Sequence, residues 1–319
     1  MQWADRIGRR LKPRDLHVFL AVAEQGNMAK AAERLAISRP VVSKTIADLE
    51  HTLAVRLFDR TAQGVEPTLY GRALLKRTLA VFDELKQSVQ EIEHLSDPTA
   101  GEVRIGCNEV MSAGLVSVAL DRLLRRHPQW VFHMQIGGPA AHLELLRSRT
   151  CEVFVGRPIW PQFPPDVESV PLFCEKLVVV VGSHSKWSGR RKIALADLVD
   201  EPWIQSPREV EPGGPTFEAF TAAGLRPPRV SVFSESLNLR YNLLETGRFI
   251  TMIPGSALRL GPKRASLKVL PIDIPRWSLA NSVSVLKGRT LSPMAQAFVE
   301  SIRDAAKPLA TFSDTPMAG

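Results

Sequence analysis

Cysteine is nearly missing from this 319-residue chain: Cys107, Cys151 and Cys174 are odd in number and widely spaced. That excludes a disulfide framework and the paired thiols of a zinc site, and it points to free thiols in a reducing compartment. Long apolar runs are missing as well. The longest, such as residues 177–181, are far too short to span a bilayer, and the N-terminus MQWADRIGRRLKPRD is charged where an export signal would be apolar. The expectation is a cytoplasmic chain with no membrane partner. The seven histidines show no metal-ligand spacing: His127 and His133 lie either side of a proline, His142 sits early in a helical segment and His184 in a loop. GGPAAH, at 137–142, lacks the lysine of a phosphate-binding loop. Internal repeats and low-complexity tracts are absent. No metal and no cofactor are expected.

What is present is concentrated near the start. Residues 27–60, NMAKAAERLAISRPVVSKTIADLEHTLAVRLFDR, read as two short helices joined by a turn. Asn27 suits the N-cap of the first, about 28–35, and Ser38 suits that of the second. Met28, Ala31, Ala32 and Leu35 share one helical face, as do Val42, Ile46, Leu49 and Leu53. A preceding helix over about 14–24 offers Leu16, Phe19, Leu20 and Ala23 and is stopped by Gly26, completing a three-helix core. Opposite the apolar stripe of the second helix lie Pro40, Lys44 and Ala47, with Val41 and Ser43 to either side. A tri-helical unit of this kind lays that helix, N-terminal end first, in the major groove of double-stranded DNA. Arg39 can donate two hydrogen bonds to guanine, Ser43 suits a base or a phosphate, Val41 suits a thymine methyl and Lys44 a phosphate, and Ser38 at the helix start is counted with these DNA-binding residues. A solvated helical face with a few cations is the plainer alternative. The caps, the small alanines, the proline confined to the first turn and the basic outer face argue together against it.

After residue 53, Val55, Leu57 and Phe58 anchor an extended segment. The expected turn at 64–67 then punctuates a wing carrying Arg56 and Arg60. Thr68 is the expected N-cap of a long helix to about residue 95, in which Leu75, Phe82 and Val89 recur at seven with Leu85 and Ile92 between them. That pattern suits a dimerisation seam. SDPTAGE, at 96–102, reads as a linker. Charge follows the same division: residues 1–80 hold 14 Lys+Arg against 8 Asp+Glu, so most of the formal +8 sits in the head. Such a field attracts phosphate backbones at any sequence.

These motifs, NMAKAAERLAISRPVVSKTIADLE followed by LAVRLFDRTAQGVEPTLYG and a long helix, resemble a LysR-type transcriptional regulator over nearly the whole chain. Family members usually enter the recognition helix with Ser-Gln-Pro-Ala-Val-Ser-Arg. Here the run is Ser38-Arg39-Pro40-Val41-Val42-Ser43-Lys44, and Arg39 exchanges an adenine-friendly amide for a guanine-friendly guanidinium. The resemblance implies a winged helix-turn-helix over 1–67, a linker or coiled-coil dimerisation helix over 68–95, a hinge at 96–100, a two-lobed α/β effector domain over 101–308 and a tail at 309–319. Lobe I would be about 101–170 with 276–308, and lobe II about 171–275, in the manner of type II periplasmic-binding proteins, with crossing strands at 167–172 and 267–274. It also implies a homodimer assembling into a tetramer, contact with RNA polymerase, and a place in the bacterial nucleoid.

Residue patterning of the body agrees, alternating short strands and helical segments in the way of parallel α/β sheets. Such sheets bind ligands beyond the carboxyl ends of their strands, near helix N-termini. The candidate effector residues are therefore Cys107, Asn108 and Glu109, near a helix capped by Ser112, then Gly137 and Gly138, then Arg157, and from the second lobe Ser206, Ser234 and Ser236. Arg157 favours an anion and Glu109 disfavours one. Cys107 carries the further alternatives of oxidant sensing or simple burial. Catalysis would need a nucleophile and base, paired carboxylates or metal ligands converging in the cleft, and a secreted solute-binding protein would have no use for a basic head. The expectation is a ligand-responsive DNA-binding regulator and not an enzyme.

Overall fold

The computed structural model describes residues 11–157, 164–260, 265–272, 274 and 278–310, so of the expected tail at 309–319 residues 311–319 lie outside them, while residues 309 and 310 end the last helix. The chain divides into two compact units, Met1–Gln90 with Arg147–Arg149, and Glu91–Leu146 with Thr150–Gly319.

The first unit contains α1 (Pro13–Gln25), α2 (Met28–Leu35), α3 (Arg39–Leu53), a hairpin of β1 (Phe58–Thr61) and β2 (Gly64–Pro67), and most of α4 (Leu69–Ser96). Phe19, Val22, Ala31, Ala32, Val42, Ile46, Leu49 and Leu57 form its core, as the helical periodicities require. Asn27 caps α2: its side-chain oxygen accepts from Ala29 N at 2.8 Å and Lys30 N at 3.3 Å. Ser38 stands at the start of α3 but makes no side-chain cap. Pro40 removes one of the two N–H groups a cap would serve, and Val41 N donates to the Ser38 carbonyl instead, at 3.0 Å.

The wing differs from expectation. Thr61 pairs with Gly64, so the turn is at 62–63 and Gly64 begins the second strand. Its role is close approach: Val65 N donates to Gly26 O at 2.8 Å, and a Cβ on Gly64 would lie 2.1 Å from that oxygen. Thr68 caps α4 by accepting from Gly71 N at 3.0 Å. The apolar line along α4 divides. Leu75 packs on the head core and Phe82 meets His17 with ring centroids 5.6 Å apart, whereas Leu85, Val89 and Ile92 are 50%, 54% and 64% exposed. A heptad line drifts around a straight helix, and here its first half is taken by the head.

In the second unit the strands run β4-β3-β5-β11-β6-β9-β7-β8, with β10 also on β6. Lobe I carries β3 (Ala100–Cys107), β4 (Gln129–Ile136), β5 (Val153–Gly156) and β11 (Ser278–Leu286). Its helices are α5, which runs Glu109–Met111, a π-turn at Ser112–Val116 and Ser117–Arg126, then α6 (Pro139–Arg147) and α11 (Pro293–Ala310). Lobe II carries β7 (Trp203–Gln205), β8 (Val230–Phe233), β9 (Ile250–Pro254) and β10 (Leu267–Val269), with α7 (Pro207–Val210), α8 (Pro215–Ala222), α9 (Leu237–Glu245) and α10 (Gly255–Arg259). β6 (Val167–Gly182) belongs to both, pairing with β11 over residues 167–176 and with β9 over 177–181. The helix expected from Ser112 begins earlier, because Asn108 supplies the cap by accepting from Met111 N at 2.8 Å. The second expected crossing also moves. Leu267–Val269 pairs with residues 180–182 inside lobe II, and β11 carries the return to lobe I. The pairs β3·β4, β3·β5 and β7·β8 are parallel, whereas the strands that join the lobes are antiparallel to their neighbours. Val103, Ile105, Leu115 and Phe298 are among the core of lobe I, and Val179, Leu198, Trp203 and Phe220 among that of lobe II.

The two caps of the head predict different outcomes on substitution. Asn27→Ala should cost about 1 kcal/mol and speed amide exchange at Ala29 and Lys30, whereas Ser38→Ala should change stability by only a few tenths, since no side-chain cap is lost. Exchange rates measured on both variants check this, and equal losses would refute the assignment of the caps.

Candidate nucleic-acid interface and interlobe cleft

On α3, Val42, Ile46 and Leu49 are buried, and Ser38, Arg39, Pro40, Val41, Ser43 and Lys44 are exposed. The first turn therefore presents small side chains between two cations, a surface that fits against base edges and phosphates. Arg56 and Arg60 are also exposed, Arg60 on the first strand of the wing. Glu50, not singled out from the sequence, holds the wing's approach: its carboxylate accepts from Leu57 N at 2.7 Å and Phe58 N at 3.3 Å. Nothing in the local pattern marks it, since its partners lie beyond the helix end.

Between the lobes of the second unit is a cavity of about 400 Å³, lined on one side by Asn108, Glu109, Gly137, Gly138 and Arg157 and on the other by Ser206, Arg208, Glu209, Glu235 and Arg240. That volume suits a small molecule. Six of the residues expected from strand ends thus meet at one place. The others do not line it. Ser112 faces a second cavity, of about 610 Å³, with Ser117, Leu237, Tyr241 and Leu258. Ser234 Oγ accepts from Ser236 N at 3.1 Å, and Ser236 Oγ accepts from Leu239 N at 3.4 Å, so both serve the start of α9. Cys107 is fully buried in the core of lobe I, where burial first, and then neighbouring Cys151, push its thiol up to about 12. A thiol held so far above neutrality is a poor oxidant sensor.

Two of the cleft's charges, Arg240 and Glu209, are paired within lobe II. Arg240, 3% exposed, donates to Glu209 Oε2 at 2.9 Å and Oε1 at 3.3 Å, to Ser234 O at 2.7 and 3.1 Å, and to Thr251 Oγ1 at 3.4 Å. Glu209 Oε2 accepts a second time, from Ser206 N at 2.6 Å. The Ser206-Pro-Arg-Glu209 spacing was a legible signal for Glu209, because Ser-x-x-Glu opens many helices. Arg240 had no such signal. Among the described residues no cluster of three His, Cys, Asp or Glu side chains is placed to hold a metal, and no helix is long and apolar enough to cross a membrane.

Known proteins share this arrangement. The family described as "Bacterial regulatory helix-turn-helix protein, lysR family" matches residues 13–72, and "LysR substrate binding domain" matches residues 96–307. The HTH-type transcriptional regulator TfdS of Cupriavidus pinatubonensis is 31% identical over 294 residues, spanning 91% of this chain and 97% of TfdS. GbpR of Azospirillum brasilense, also an HTH-type transcriptional regulator, is 28% identical over 315 residues, spanning 97% of this chain and 88% of GbpR. The crystal structure of CbnR, a LysR family transcriptional regulator, superposes with a TM-score of 0.62 at 24% identity, covering 93% of this chain and 99% of that one. CbnR complexed with its target DNA superposes with a TM-score of 0.53 over 93% of this chain and 100% of that one.

His142, in α6 directly after the cleft's two glycines, gives the second unit a pH dependence. Its ring is buried and stacked on Phe154, centroids 3.9 Å apart, and burial pulls its pKa down from 6.5 to about 4. Between those values the unfolded chain binds the proton and the folded chain does not. Stability is therefore fully present above the unfolded pKa and is lost as pH falls towards the folded one, by about 3 kcal/mol in all. His142→Phe should flatten the fall in melting temperature over that window, and an unchanged pH profile would remove His142 as its source.

Proposed function

This chain belongs to the LysR family of transcriptional regulators, and we propose from that premise that the exposed start of α3 reads operator bases while the 400 Å³ cleft binds the controlling small molecule. The family provides both domains, a helix-turn-helix that binds DNA and a domain that binds an effector. The observation that carries the reading is the division of α3, with Val42, Ile46 and Leu49 buried and Arg39, Pro40, Val41, Ser43 and Lys44 exposed on the opposite side. Arg39 is the base reader, bidentate to guanine. Ser38, Ser43, Lys44, Arg56 and Arg60 position the head on the phosphates. In the cleft, Asn108, Gly137, Gly138, Arg157 and Ser206 surround the effector. Leu85, Val89 and Ile92 expose an apolar stripe on α4 that supports a homodimer through that helix, and two such dimers form a tetramer touching RNA polymerase at the promoter. Regulation is then linkage: an effector that prefers one arrangement of the lobes shifts the arrangement of the heads by no more than its differential affinity.

Two measurements test these roles. Arg39→Ala should weaken the preferred duplex by about 1 to 3 kcal/mol and flatten discrimination at one base pair, while Lys44→Ala should weaken all sequences alike and reduce the salt slope by about one. Binding curves on cognate and base-substituted duplexes at several salt concentrations separate them, and uniform loss for Arg39→Ala would demote it to a backbone contact. For assembly, Leu85→Asp places a carboxylate in the seam at a cost of several kcal/mol, so light scattering should report a smaller particle than the parent. An unchanged mass would refute the seam.

A further inference from the structure

Lobe I reaches into lobe II with a side chain of its own. Glu109, second residue after β3, extends its carboxylate to the first turn of α9, where Oε1 accepts from Leu237 N at 2.9 Å and from Ser236 Oγ at 3.5 Å. First-turn N–H groups have no partner within their own helix, and an anion there also meets the favourable end of the helix dipole. The same stretch of lobe II comes near lobe I at a second point: a Cβ added on Gly138 would lie 3.4 Å from Glu235 Oε2. Glu109 is also common to the linings of both cavities, the 400 Å³ cleft and the 610 Å³ space beside α9. One half-buried carboxylate therefore bridges the lobes and stands between two spaces large enough for a ligand.

We propose that Glu109 is a built-in latch, whose carboxylate holds the two lobes together by occupying from within the chain an anion position at the start of α9. Taken with the reading of the cleft as the effector site, on which this consequence rests, an effector that bears a carboxylate competes with Glu109 for Leu237 N–H and Ser236 Oγ, and its binding releases the latch. Glu109 is a positioning residue: it orders lobe II against lobe I.

Chemical complementation of the full-length chain tests the latch. Glu109→Ala deletes the side chain beyond Cβ, a fragment the size of acetate. Without the charged acceptor, the Leu237 amide should exchange with deuterium about tenfold faster or more, and melting should fall. Acetate, used as the probe, should restore slow exchange in Glu109→Ala and leave the parent unchanged, while acetamide should restore less and an equal ionic strength of sodium chloride nothing. Glu109→Gln, which keeps the shape and an acceptor oxygen, should fall between the two and serves as the folded control. Parent-like exchange at Leu237 in Glu109→Ala, or equal rescue by acetate and acetamide, would overturn the proposal. Neither DNA nor effector enters the experiment, so its failure would leave the assignment of the cleft standing. Loss of that assignment would show separately, as operator binding indifferent to any ligand.

Discussion

The sixteen residues of β6 hydrogen-bond to β11 through their first part and to β9 and β10 through their second, and the cleft exists because of that division. A strand shared by two lobes fixes their spacing, since sliding either one would break a ladder, yet it leaves rotation about the crossing as a soft motion. Each lobe then builds its own core on its own side. The ends of β3, β4 and β5 face β7 and the start of α9 across a gap that no core residue fills.

Polar groups around that gap differ in how firmly they are held. Arg240, buried, and Glu209, half-buried, form a bidentate pair joined to Ser234 O, Thr251 Oγ1 and Ser206 N, a network whose members are all accounted for. Breaking such a pair strands a buried charge, so the network acts as a rigid wall. Glu109 is held by one short hydrogen bond and one long one, both to groups of the other lobe. A half-buried carboxylate with such partners can leave for water at modest cost, which suits a part that moves.

The head follows a different economy. Its helices approach closely through Ala31 and Ala32, both buried, and its wing is drawn in where Gly64 and Gly71 let backbone meet backbone. Apolar packing and backbone hydrogen bonds hold the unit together, leaving the cations of α3 and the wing unburied and available to phosphate. On α4, Leu85, Val89 and Ile92 stay exposed at a regular helical spacing.

Local pattern determined a good deal here. Helix periods, Asn27 and Thr68 as caps, the order of strands and helices in the body, and the exposed face of α3 were legible because each depends on residues within a turn or two of one another. The same logic picked out six residues that do line the cleft, since strand ends in α/β sheets face ligand sites. Tertiary structure decided the rest. Gly64 looked like a turn residue and proved to be a point of close approach to Gly26, and Ser38 lost its cap to the proline two residues on. Cys107 stood at a strand end like its neighbours, yet the alternation along β3 turned it into the core. Glu109 read from sequence as a charge in conflict with Arg157. Its partner, Leu237, lies 128 residues away in the other lobe, and no local rule links positions that far apart in the chain. Only the folding of both lobes around β6 brings that carboxylate to a helix start, because the free N–H groups it satisfies belong to an element that its own segment never encounters in sequence.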